Sequence, residues 1–135
     1  MKILIVEDDP LSQQLLLRYL QDQGERVIAD DGEKAMSAFR KALDSSQPFD
    51  LICLDIMLPY LDGQAVLKRV RALEESRGLS GLAGCKVIML TALRDVDNVM
   101  NAFRNQCEAY LSKPISKERL FSEIRSLGLT LNEIK

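Results

Sequence analysis

Apolar residues fall along this chain in two alternating arrangements. Ile3-Leu4-Ile5-Val6, Leu51-Ile52-Cys53-Leu54 and Val87-Ile88-Met89-Leu90 are short unbroken runs, with weaker versions at Val27-Ile28-Ala29 and Ala109-Tyr110-Leu111. Such runs, without alternation of apolar and polar residues, predict strands covered on both faces, as in a parallel sheet. Between them apolar residues recur at helical spacing. The sets are Leu11, Leu15, Leu16, Tyr19 and Leu20; Ala35, Met36, Phe39, Ala42 and Leu43; Val66, Leu67, Val70 and Leu73; Val96, Val99, Met100 and Phe103; and Leu120, Ile124 and Leu127. Each set puts an apolar stripe on one helix. Strand and helix alternate through five units. That order predicts an α/β fold, a doubly wound five-stranded parallel sheet with helices on both faces and right-handed crossovers.

The punctuation agrees with these boundaries. Asp9-Pro10 sets a capping acid before a proline at the first helical position. Asp31-Gly32 reads as a turn before the second helix. Asp62-Gly63 reads as a tight turn before the third, where glycine permits a positive φ. Ser116 caps the last helix without a capping box, since Arg119 stands where the box wants Glu or Gln. Gly128 can close that helix. One long loop runs from Arg77 to Cys85; its Gly and Leu content fits a mobile or partner-contacting excursion, and also a tolerated surface insertion. Lys68, Arg69 and Arg71, followed by Glu74 and Glu75, read as a solvated helix face. With no linker, repeat or low-complexity block, residues 1–135 are expected to form a single domain with no output domain.

Composition narrows the chemistry. A chain of 135 residues is close to the ~150 of an average domain. Lys and Arg number 18 against 20 Asp and Glu, a net charge of -2 that lacks the basic footprint of a nucleic-acid binder. Histidine is absent, which excludes Ser-His-Asp and Cys-His machinery and any histidine-containing zinc site. Cys53, Cys85 and Cys107 are too few for a four-cysteine site and lack CxxC spacing; they read as free thiols of a reducing cytoplasm, or simply as small buried hydrophobes. No apolar run approaches the ~18 residues of a membrane span, and no signal peptide is visible, so a cytoplasmic location is expected.

In an open parallel sheet, sites form beyond the carboxyl ends of the strands. Glu7, Asp8 and Asp9 follow the first strand, Asp55 the third, Thr91 the fourth and Lys113 the fifth. Any one of these acids alone is an ordinary cap or turn residue, and Asp9 reads as a cap. Together they put complementary groups on successive strand ends. Carboxylates converging without His or Cys make a hard, all-oxygen site suited to Mg2+. A lysine and a hydroxyl beside them suit the oxygens of a phosphoryl group. The residues thus point to phosphoryl chemistry at a carboxylate-bound Mg2+.

The chain resembles the receiver domain of two-component response regulators, in its chemotaxis-type stand-alone form. The resemblance is carried by Lys2–Asp9, by Leu54-Asp55-Ile56-Met57-Leu58-Pro59-Tyr60-Leu61-Asp62-Gly63, by Val87–Ala92 and by Ala109-Tyr110-Leu111-Ser112-Lys113-Pro114, and it runs over residues 2–127. It implies a flavodoxin-like (βα)5 fold. It implies that Asp55 accepts a phosphoryl group from a sensor histidine kinase or histidine phosphotransfer protein. Asp8 and Asp55, with Glu7 directly or through water and the Met57 backbone carbonyl, would hold Mg2+. Lys113 would pair with the phosphoryl oxygens, and Lys113-Pro114 would be cis. Thr91 would bond the phosphoryl group and Tyr110 would swing inward behind it. That pair would change the face built from the fourth helix, fifth strand and fifth helix. Met57 and Leu93 would flank the phosphoryl pocket and bear on its lifetime. The loop from Arg77 to Cys85 is longer than most receivers carry. The implied protein is a signalling protein rather than an enzyme, a monomer or a phosphorylation-linked dimer, acting on a downstream protein and on neither nucleic acid nor membrane. Two alternatives stand beside it. One is a degenerate receiver that binds partners without phosphorylation. The other is a Mg2+-dependent aspartyl phosphohydrolase, which usually carries a second acid where this chain has Met57. A nucleotide-binding module is disfavoured by the lack of GxGxxG or a P-loop after the first strand.

Overall fold

Five parallel strands make one sheet in the order β2-β1-β3-β4-β5. The computed structural model describes residues 1–79, 81–92, 100 and 106–132. The strands are β1 (Lys2–Val6), β2 (Glu25–Ala29), β3 (Leu51–Asp55), β4 (Lys86–Thr91) and β5 (Ala109–Ser112). The helices are α1 (Pro10–Tyr19), α2 (Gly32–Asp44), α3 (Gly63–Ser76) and α4 (Lys117–Ser126), and a short 3-10 turn spans Gly81–Ala83. The helix expected over Val96, Val99, Met100 and Phe103 lies outside the described residues except for Met100, which is helical.

The unbroken apolar runs are covered on both sides, as their pattern predicts. All five residues of β3 are buried, as are Ile3–Val6 and Val87–Thr91. Their side chains alternate between two cores. Leu4, Val6, Ile52, Leu54, Val87 and Met89 pack with Phe39 of α2 and with Val66, Leu67 and Val70 of α3. Ile3, Ile5, Leu51, Cys53, Ile88 and Leu90 pack with Leu16 and Leu20 and with Leu120, Phe121 and Ile124 of α4. Each fully buried Leu or Ile contributes about 1.5–3 kcal/mol by leaving water, so both layers hold the sheet. No described helix is long and apolar enough to cross a membrane.

Side-chain caps start each of α1 to α4. Asp9 accepts from Ser12 N–H, Asp31 from Lys34, Asp62 from Ala65 and Ser116 from Arg119. Each cap is worth about 1 kcal/mol. Gly128, at φ +84°, follows the end of α4 as expected.

Three sequence expectations need correction. Leu11 was placed on the buried stripe of α1 but is 78% exposed. It lies in the first turn of α1 and lines a shallow crevice of about 150 Å³ beside Lys113 and Pro114. Gly63 does not supply a positive φ. It opens α3, and a Cβ there would sit 2.2 Å from Asp55 O. The positive φ in that loop falls on Tyr60, at +67°. The last correction concerns the supposed solvated face of α3. Lys68 and Arg69 are exposed, but the Arg71 side chain is only 13% exposed and that of Glu74 only 3%. Arg71 pairs with Glu74 beside it and with Glu108 across 37 positions.

Candidate functional site

The groups singled out at the strand ends come together. β1, β3, β4 and β5 are consecutive neighbours in the sheet. Their carboxyl ends therefore line up at the point where strand order reverses, the usual place for a site in such sheets. Glu7 is fully buried, Asp55 is 5% exposed and Thr91 3% exposed, while Asp8 is exposed. Glu7, Asp8 and Asp55 each present a carboxylate oxygen, all within 4.8 Å of one another.

Lys113 ties this cluster together. Its Nζ donates to Glu7 Oε1 at 2.6 Å and to Asp55 Oδ2 at 2.8 Å. Its backbone N–H donates to Thr91 O at 2.8 Å, fixing the β5 end against β4. The Lys113-Pro114 bond is cis, as the resemblance implies.

The remaining oxygens are also held. Asp55 Oδ1 accepts Met57 N–H at 3.1 Å. Glu7 Oε2 accepts Asp9 N–H at 3.2 Å. Gln13, which sequence reasoning missed, donates from Nε2 to Glu7 O at 2.6 Å. Nothing local marks that glutamine, because it reaches the site from a turn inside α1. The loop from Asp55 to α3 is closed by Ile56 N–H on Leu90 O and by Gly63 N–H on Ile56 O. The Met57 side chain stands out of the pocket, 68% exposed.

Electrostatics follow from this packing. Burial, then the neighbouring Asp55, raise the pKa of Glu7, against the opposing bond from Lys113. Burial works against the Lys113 ammonium, yet its bonds to Asp55 and Glu7 outweigh it and hold its pKa above the ordinary lysine value. Formally, three carboxylates and one ammonium leave a charge of -2 in the pocket. A hard, oxygen-only donor set with that charge fits a small divalent cation such as Mg2+.

Thr91 lies at the β4 end with its hydroxyl on Ala92 O at 3.1 Å. Tyr110 sits on β5, 42% exposed. Leu93 lies outside the described residues. All three cysteines are free and buried, in keeping with their reading as small hydrophobes; burial pushes the Cys53 thiol up to about 12.

A family profile for the response regulator receiver domain matches residues 3–125. Among curated proteins, the chain is 35% identical over 127 residues to the DNA-binding dual master transcriptional regulator RpaA of a Synechocystis species, covering 93% of this chain and 48% of RpaA. It is 30% identical over 120 residues to the sensor protein GacS of Pseudomonas syringae, covering 88% of this chain and 12% of GacS. Among solved structures, the Vibrio cholerae chemotaxis protein CheY4 superposes with a TM-score of 0.77 at 26% identity, covering 93% of this chain and 97% of that one. The chain spans about half the length of the curated regulators it matches first.

Proposed function

The chain belongs to the response regulator receiver family, and from that membership we propose that Asp55 accepts a phosphoryl group from the phosphohistidine of a sensor kinase or phosphotransfer protein. The observation that carries the proposal is the Asp55 carboxylate itself. It is nearly buried, held by Lys113 on one oxygen and Met57 N–H on the other, and faces Glu7 and Asp8.

In this reading a carboxylate oxygen of Asp55 attacks phosphorus, the bond from phosphorus to the histidine nitrogen breaks, and the imidazole leaves. Glu7, Asp8, Asp55 and the Met57 carbonyl would hold Mg2+. The ion's contribution, when bound, is to offset the negative charge of the phosphoryl oxygens and of the acids around them. Lys113 supplies a point charge to the same oxygens. The exposed carboxylate of Asp8 holds charge at the mouth and the buried one of Glu7 holds it deeper, while Gly63 and Ile56 wall the back of Asp55.

The Thr91 hydroxyl would leave Ala92 O for the phosphoryl group, and Tyr110 would turn inward from its half-exposed position. That is a two-state element biased by one new charged group. The protein would thus work as a signal carrier through the surface around β5 and α4 rather than as an enzyme. The phosphohydrolase alternative lacks its second acid, since Met57 stands at that place with its side chain turned to solvent. The degenerate-receiver alternative is disfavoured because each expected acid, the hydroxyl and the lysine are present.

Intact mass after incubation with acetyl phosphate and Mg2+ tests the reading. One phosphoryl adduct is expected, absent without Mg2+ and absent in Asp55→Asn. No adduct on folded protein, together with no beryllofluoride binding, would leave a phosphorylation-independent interaction module.

A further inference from the structure

β5 is the edge strand of the described sheet, laddered to β4 alone among the described strands. Two ion clusters hold its two ends. At the carboxyl end Lys113 is bonded to Asp55 and Glu7. At the amino end Glu108 takes Arg71 Nη2 on both carboxylate oxygens, at 2.9 and 2.8 Å. Glu108 also accepts Val87 N–H at 2.7 Å and donates its own N–H to Val87 O at 3.0 Å.

The rest of the Arg71 guanidinium is equally engaged. Nε donates to Gln106 O at 2.9 Å, and Nη1 donates to Cys85 O at 2.9 Å and to Glu74 Oε1 at 2.6 Å. The other oxygen of Glu74 accepts Cys85 N–H at 2.7 Å. Burial opposes the charge on Arg71, but Cys85, Glu74 and Glu108 together hold its pKa above the ordinary value. A planar fork with partners on all sides has one orientation open to it. Arg71 therefore anchors the start of β5 to α3 and to the start of β4, at the end of the sheet away from Asp55.

We propose that the Arg71–Glu108 pair is the fixed end of β5, a positioning pair that converts a change at Lys113 into a change at Tyr110. The inference rests on the phosphoacceptor reading of Asp55. Phosphorylation alters what the Lys113 ammonium bonds. A strand loose at its other end would absorb that by shifting as a whole. Tied at Glu108, it must take up the change along Ala109–Ser112. Strand alternation puts Tyr110 on the same side as Glu108, opposite Ala109 and Leu111, which are packed in the core shared with α4. The element is a short strand with two discrete anchors, the kind of unit through which coupling travels.

The test uses the full chain carrying 3-fluorotyrosine at its three tyrosines, with Tyr110 assigned by Tyr110→Phe. Beryllofluoride and Mg2+ are added to saturation and the fluorine shift of Tyr110 is read. In the unmodified chain the resonance is expected to move. In Glu108→Gln, which keeps the Arg71–Glu74 pair, and in Arg71→Lys, which keeps the charge but not the fork, beryllofluoride is expected to bind at the unmodified midpoint. The Tyr110 shift at saturation should fall by more than half. Lost stability alone would not change a shift measured on folded, saturated protein. A full Tyr110 shift in both variants overturns the proposal. No binding in the unmodified chain overturns the phosphoacceptor reading and this proposal with it.

Discussion

Lys113 Nζ lies 2.8 Å from Asp55 Oδ2 across 58 positions of sequence. The same ammonium serves Glu7, which is fully buried, while the Lys113 side chain is 28% exposed. One cation thus holds two carboxylates that water hardly reaches.

Lys113→Met leaves those carboxylates facing each other. The expected loss is about 2 kcal/mol, less than the ~3–5 kcal/mol of breaking a fully buried pair because the lysine is partly solvated. Mg2+ should restore much of it by replacing the missing positive charge. Urea unfolding with and without Mg2+ checks both parts. A variant as stable as the parent without Mg2+ would contradict the bridging role.

Gly63→Ala forces a Cβ to within 2.2 Å of Asp55 O and 2.8 Å of Ile56 Cα, both backbone atoms. Such overpacking costs about 2–3 kcal/mol. It should also displace Asp55 and slow its phosphorylation by acetyl phosphate. Gly78→Ala is the contrast. Its φ is +73° but no atom lies within 4 Å of the added carbon, so it should cost about 1 kcal/mol of backbone strain and leave the phosphorylation rate alone.

Tyr60 holds a left-handed backbone at φ +67° with its side chain 91% exposed. A bulky residue pays about 1–2 kcal/mol there, and Asn adopts the region more readily. Tyr60→Asn is expected to stabilise the chain by about 0.5–1 kcal/mol in chemical denaturation. A loss of stability would show that the tyrosine ring makes up for the strain.

Cys53 gives a pH dependence. Burial holds its thiol at about 12 against an ordinary 9.0. Between those values the native state keeps a proton that the unfolded chain has lost. Stability therefore falls as pH rises above about 9, by up to about 1.4 kcal/mol per pH unit for this one group. Cys107, pushed up mainly by burial to about 11, adds to the same slope. Urea midpoints measured from about pH 8 to 10.5 should fall less steeply in Cys53→Ala than in the parent.

The strands and the acid cluster were legible because both depend on local order. An unbroken run such as Leu51–Leu54 reads as a covered strand wherever it occurs, and a parallel sheet puts every strand end on one rim. That is enough to bring Glu7, Asp55 and Lys113 together on paper. What escaped depends on distance in sequence. Arg71 and Glu74 look solvated until Glu108 is placed against Arg71 and the Cys85 N–H against Glu74. Gly63 and Tyr60 divide two requirements, close approach and positive φ, that a Asp-Gly pair suggests are one. Leu11 fits its helical stripe but stays exposed in the first turn of α1.

The strand order also sets a schedule. In a parallel sheet each ladder joins segments separated by a long crossover, so no neighbouring pair can form as a simple hairpin. Ile3 pairs with Leu51 and Leu51 with Lys86. Closure of such loops precedes the contacts that reward it, which slows folding. During synthesis from the amino end, β3 can dock on β1 as soon as Asp55 has emerged, but its other side stays open until β4 follows. For that interval the strand bearing Asp55 is an unprotected edge, apolar from Leu51 to Leu54 and suited to pairing with another nascent chain. The residue on which the proposed signalling depends thus ends the segment most exposed to misassembly while the protein is being made.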